Sequence, residues 1–102
     1  MEDKCLYTLA VRFEWDPQKA AANLHTHRIS FAEAVTVLED TFALTREDPD
    51  AVEEQRFATL GLSDQANLLV VVYAYPGSDS VRVISAWKAS NRQRELYEKG
   101  RS

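Results

Sequence analysis

The chain of 102 residues has almost no cysteine, because Cys5 stands alone. No internal disulfide can form, and a single thiol fits a reducing compartment. Long apolar runs are also missing. The longest, Leu68 to Tyr75, falls far short of the ~20 residues that cross a bilayer. The opening Met-Glu-Asp-Lys-Cys lacks the charged-then-apolar order of a secretory signal, so a cytoplasmic protein is expected. Only three glycines are present, and none belongs to a phosphate-binding loop. His25 and His27 lie two apart, on different sides of a helix, unlike the i, i+4 pair that shares a metal. No metal site and no cofactor are expected. What is present, 45% apolar and 27% charged residues, is the balance of an ordinary globular protein. At this length residues 1–102 make one domain.

The net charge of −4 is unevenly spread. Residues 30–56 hold eight acids against Arg46 and Arg56, whereas residues 81–102 hold six bases against Glu95 and Glu98. The basic end is a candidate anion site; a solvated helix surface is the plainer alternative.

Residues 5–15 alternate, with Cys5, Tyr7, Leu9, Val11, Phe13 and Trp15 on one face, as in a half-buried strand. Asp16-Pro17 then supplies an N-cap and a proline at the first helical position. Ala20, Ala21, Leu24 and His27 follow at helical spacing. Ser30 and Glu33 form a capping box that opens a second helix, with Ala34, Val35 and Leu38 inward. Residues 39–55 read as an acidic loop containing at most one short strand near Phe42–Thr45. The period then changes. Arg56–Leu62, Asn67–Tyr75 and Val81–Trp87 read as three strands of an antiparallel meander, with the apolar Leu68–Val72 in the centre. Ser90 and Gln93 form another capping box, opening a basic helix anchored by Leu96 and Tyr97 and ended by Gly100 at C′. The fold class is therefore α+β: a small antiparallel sheet of about four strands, two N-terminal helices and one C-terminal helix.

Cys5 reads as packing, Ser85 lacks a nucleophile elbow, and the acids of residues 47–54 read as a solvated loop. What remains is a constellation of cations. Arg56 and Arg82 come to one face if their strands adjoin, with Lys88, Arg92 and Arg94 beyond. Arginine forks clamp phosphate and stabilise the charge of a phosphoryl transition state. RNA brings its own nucleophile, the 2′-hydroxyl, so orientation and charge neutralisation suffice to cleave it. His27 is a candidate for moving a proton, since imidazole titrates near neutrality.

Several segments in order resemble the BrnT family of toxins from bacterial type II toxin–antitoxin systems. They are Phe13-Glu14-Trp15-Asp16-Pro17-x-Lys19, Asn23, His27 and Ser30-Phe31-x-x-Ala34, then Asp48, Glu54-x-Arg56-Phe57 and Gly61-Leu62-Ser63. Arg82-Val83-Ile84-Ser85-Ala86, Lys88-Ala89-Ser90, Arg92, Arg94 and Tyr97 complete the pattern, which spans about residues 12–98. The resemblance implies a RelE-like fold and a metal-independent ribonuclease that stops translation. It also implies a BrnA-like ribbon–helix–helix antitoxin in a two-plus-two complex that reaches DNA only through the antitoxin. Arg82, Arg56 and His27 would be catalytic and Lys88, Arg92 and Arg94 would bind RNA. Trp87, Arg92 and Arg94 would meet the antitoxin.

Two departures stand out. Thr26-His27-Arg28 replaces the usual Lys-His-Gly, and Trp87 replaces an arginine in Ile-Ser-Ala-Arg-Lys-Ala. They leave open a second reading, a binding module that keeps the antitoxin partnership without cleaving RNA.

Overall fold

The computed structural model describes residues 11–52 and 54–101. Cys5, Tyr7 and Leu9 of the expected first strand lie outside these residues. The described part of that strand, β1, is Arg12–Glu14. It is followed by α1 (Pro17–His27), α2 (Phe31–Thr36) and a single 3₁₀ turn at Val37–Glu39. Then come β2 (Leu44–Glu47), β3 (Arg56–Leu62), β4 (Leu68–Gly77), β5 (Ser80–Lys88) and α3 (Asn91–Arg101). No described helix is long and apolar enough to cross a membrane.

The sheet has five strands in the order β1-β5-β4-β3-β2. The three-strand meander is as expected, with β4 central and apolar on both sides. Two points correct the sequence reading. The sheet is mixed, because β1 runs parallel to β5 through the pairs Arg12–Ser80, Phe13–Val81 and Glu14–Arg82. A fifth strand, β2, lies at Leu44–Glu47, two positions beyond the expected place, and pairs with β3. All four of its residues are exposed, so no apolar period announced it.

Strand alternation divides the core in two. One sheet face carries Leu69, Val71, Tyr73, Val81, Val83 and Ala86 and is covered by Ile29, Phe31, Ala34 and Val37 from the α1–α2 side. The opposite face carries Leu60, Leu68 and Val70 under Tyr97 of α3, with Ala58 and Trp87 beside them.

The helix starts follow their caps. Asp16 accepts from the Gln18 amide at 2.8 Å, and Ser90 and Gln93 exchange both bonds of the capping box at 2.8 and 3.2 Å. At Ser30 only half the box forms, because the buried Glu33 carboxylate turns away to accept from Ser63 Oγ and Asn67 Nδ2. Gly100 lies inside α3 rather than after it, and Leu96 is exposed, so Tyr97 alone of the two expected anchors is buried. The buried residue of α1 is Asn23, while Leu24 and His27 are exposed.

Asn23 explains why an amide is buried there. Past Glu14, β1 no longer covers the edge of β5. Asn23 does so instead: Nδ2 donates to the carbonyls of Ala86 (2.9 Å) and Ile29 (3.0 Å), and Oδ1 accepts from the Ala86 amide (3.1 Å). A side-chain amide thus supplies the donor and acceptor a neighbouring strand would have supplied.

Candidate functional site

The register places four residues in one row across the sheet. Arg56 on β3 pairs with Ala74 on β4, Ala74 with Arg82 on β5, and Arg82 with Glu14 on β1. The two arginines therefore share a face, the one bearing α3, although their strands are not neighbours. At ~4.8 Å per strand their Cα atoms stand roughly 10 Å apart, which two guanidinium side chains can bridge around one phosphate. The fully buried Ala74 between them is too small to obstruct either.

Both arginines line a cleft of about 630 Å³ whose far wall is the loop between β2 and β3, including Asp48, Asp50 and Glu54. The Asp48 amide bonds the Arg56 carbonyl at 2.7 Å, which folds this loop back over the row. Arg82 Nη1 donates to both oxygens of Glu54 at 3.3 and 3.4 Å, and its Nε lies 3.5 Å from Glu14 Oε2. These partners are about 40% exposed, so such pairs are worth ~0.2–1 kcal/mol and an entering phosphate can replace them.

Glu54 is the group that sequence reasoning missed. It sits within an acidic stretch that reads as a solvated loop. Only the folded loop, which brings its carboxylate to Arg82 Nη1, turns it into part of a site. The available signal was its place in Glu54-x-Arg56.

His27 is not brought to the arginines. It ends α1, exposed, with its ring centroid 6.2 Å from that of Trp87. Trp87 is five positions along β5 from Arg82, roughly 16 Å at ~3.3 Å per residue. Lys88 is exposed at the last register position of β5, opposite Leu69. Trp87 and Arg92 line a second concavity on the same face; Arg94, two positions on along α3, does not.

The family model of the ribonuclease toxin BrnT of type II toxin–antitoxin systems matches residues 15–93. The chain belongs to this family. BrnT toxins are ribonuclease toxins, and a type II system pairs each toxin with an antitoxin. The fold is similar to that of the Brucella abortus ribonuclease toxin BrnT in its crystal structure. That match has a TM-score of 0.61 and 23% identity, covering 79% of this chain and 99% of that one. No curated protein matched the sequence. Arg56, Arg82 and Glu54 fall within the matched segment, and Glu14 lies one residue before it.

Proposed function

We propose that the chain is an endoribonuclease that cleaves RNA through its 2′-hydroxyl, stops translation, and is held in check by a BrnA-like ribbon–helix–helix antitoxin. The observation that carries this reading is the row of Arg56 and Arg82 on one face, with the Glu54 carboxylate resting on Arg82 in the same cleft.

In the proposed reaction a backbone phosphate displaces Glu54 from Arg82 and is held between the two guanidinium groups. The freed carboxylate takes the proton of the 2′-hydroxyl. The 2′-oxygen then forms a bond to phosphorus as the bond from phosphorus to the 5′-oxygen breaks. The leaving oxygen takes a proton from the Glu54 carboxyl group. The products are a 2′,3′-cyclic phosphate and a 5′-hydroxyl, and Glu54 is returned to its ionised form. The arginines neutralise the extra negative charge on the five-coordinate phosphorus, where fixed cations contribute most. His27 takes no part in this proton transfer, standing too far along β5. Arg92 extends the cationic track at the same end as Trp87, whereas Lys88, paired with Leu69, stands at that end on the opposite face.

The antitoxin surface is proposed around Trp87 and Arg92, with Arg94 at its margin, and antitoxin dimerisation gives a two-plus-two assembly in the cytoplasm. DNA is reached through the antitoxin alone.

The test is cleavage of an RNA oligonucleotide in the presence of EDTA, with product ends identified by mass spectrometry. Cleavage that yields a cyclic phosphate, is lost in Arg82→Ala and Glu54→Gln, and is blocked by a 2′-deoxy substitution at the scissile nucleotide is the expected result. An inert parent protein would leave the binding-module reading in its place.

A further inference from the structure

A concavity of about 740 Å³ lies on the same sheet face as the arginines, between β2 and α3. Its floor is apolar: Ala58, Leu60, Val70, Val72 and Trp87. Its walls are Leu44 and Leu96, 37% and 56% exposed. Leucines facing each other across an apolar floor, both still open to solvent, form a patch that the chain itself does not cover.

The rim carries the second signal. Arg46, Arg92 and Lys99 line the groove together with the acids Asp48 and Glu95, and among the described residues none of the three cations makes an ion pair. Arg82, by contrast, holds two carboxylates. Uncommitted cations around an apolar floor complement a segment that is apolar on one side and acidic on the other. Nucleic acid would satisfy the rim but has no aliphatic face for the floor. A basic or neutral segment would satisfy the floor and leave the three cations unpaired. The groove also has a fixed relation to the cleft, because Asp48 lines both.

We propose that this groove receives an amphipathic segment of the antitoxin, its apolar side on the floor and Leu96, its carboxylates toward Arg46, Arg92 and Lys99. The segment ends at Asp48, over the mouth of the arginine cleft. The inference rests on the antitoxin partnership of the proposed function, and it adds the docking site, the chemistry of the docked segment and the means of inhibition: the segment closes the cleft from the side.

The experiment uses the full chain and, as probe, the BrnA-like ribbon–helix–helix antitoxin of the proposed function, with affinity measured by calorimetry. Leu96→Asp should weaken binding roughly thirtyfold and Lys99→Glu roughly tenfold, the range of interface anchors and charge pairs. Both positions are exposed, and circular dichroism should show unchanged folding. Both free variants should cleave RNA at the parent rate but should no longer be inhibited by the antitoxin at concentrations that silence the parent.

Parent affinity in both variants would overturn the proposal, as would failure of the parent to bind. An equal loss of RNA affinity in Leu96→Asp would give the groove to substrate instead. Dissociation of a parent homodimer by Leu96→Asp, with antitoxin affinity unchanged, would give it to a second copy. Cleavage by the free parent is read separately, so failure of the ribonuclease reading is distinguished from failure of the docking site.

Discussion

Tyr97 donates its phenolic hydrogen to Asp40 Oδ2 at 2.6 Å, joining residues 57 positions apart. The same carboxylate accepts the amides of Leu62 (2.8 Å) and Phe42 (3.0 Å). One acid thereby ties α3 to the end of β3 and shapes the approach to β2. Burial pushes the Asp40 pKa up, but the hydrogen bonds from Tyr97, Leu62 and Phe42 and the charge of Arg101 outweigh it, so it lies below its ordinary value of 3.8. Burial and the bond to Asp40 push Tyr97 up from 10.0 to about 12.

Tyr97→Phe keeps the ring and removes the bond. Loss of a part-buried hydrogen bond to a charged acceptor is expected to cost about 1.5–3 kcal/mol in denaturant unfolding. The pH dependence has two limbs. The lowered Asp40 value makes its contribution complete above the unfolded value of 3.8 and lost as pH falls through the lower folded one. The raised Tyr97 value makes its contribution complete below 10.0 and lost as pH rises through about 12. Ultraviolet titration should show one tyrosine ionising near 12, and Asp40→Asn should bring it down toward 10.0.

Asn23 offers a sharper test, because its amide both donates and accepts. Asn23→Ala leaves the N–H and C=O of Ala86 without their partner, at an expected cost of about 3 kcal/mol in thermal or denaturant unfolding. Asn23→Asp should be worse, since a carboxylate oxygen would then face the Ala86 and Ile29 carbonyls. A milder effect for Asp than for Ala would refute this account of the sheet edge.

Arg28 closes α1 with φ 62°, and its amide bonds the Leu24 carbonyl at 3.0 Å. This left-handed position favours glycine. Arg28→Gly should therefore stabilise the chain, by roughly 0.5–1 kcal/mol in denaturant unfolding.

Arg82 should separate function from stability. Its ion pairs are half-exposed, so Arg82→Ala should change unfolding free energy by at most ~1 kcal/mol. The rate of RNA cleavage should fall about 10²–10³-fold, the scale for losing one group that stabilises transition-state charge.

Trp87 lines the groove floor and also touches the smaller core cluster. Trp87→Ala should weaken the antitoxin complex by roughly 2 kcal/mol in calorimetry, in protein shown by circular dichroism to remain folded.

Much of this architecture was legible before any coordinates. Local signals placed β3 at Arg56–Leu62, put β4 at the centre and set the start of α3 at Ser90. What escaped was non-local. The parallel pairing of β1 with β5 joins residues far apart in the chain, and no local pattern encodes it. β2 has no buried side to give it a period. Arg56 and Arg82 were put on one face only if their strands adjoined; they share it across β4, because alternation repeats through Ala74. Glu54 had no meaning until that row existed. His27 looked suitable by chemistry alone, and its distance from Arg82 is a property of the fold. Asn23 was visible as part of a motif, but its work on the β5 edge was not.

The Asn23 amide also has a consequence for the crowded cell. A bare strand edge is adhesive: its free N–H and C=O groups recruit strands from other molecules. By occupying both groups of Ala86, Asn23 passivates that stretch of edge without adding a strand. A variant that loses this amide thus loses more than folding free energy. It acquires a template for chain-to-chain association, and its failure in concentrated solution should take the form of β-rich aggregation rather than simple unfolding.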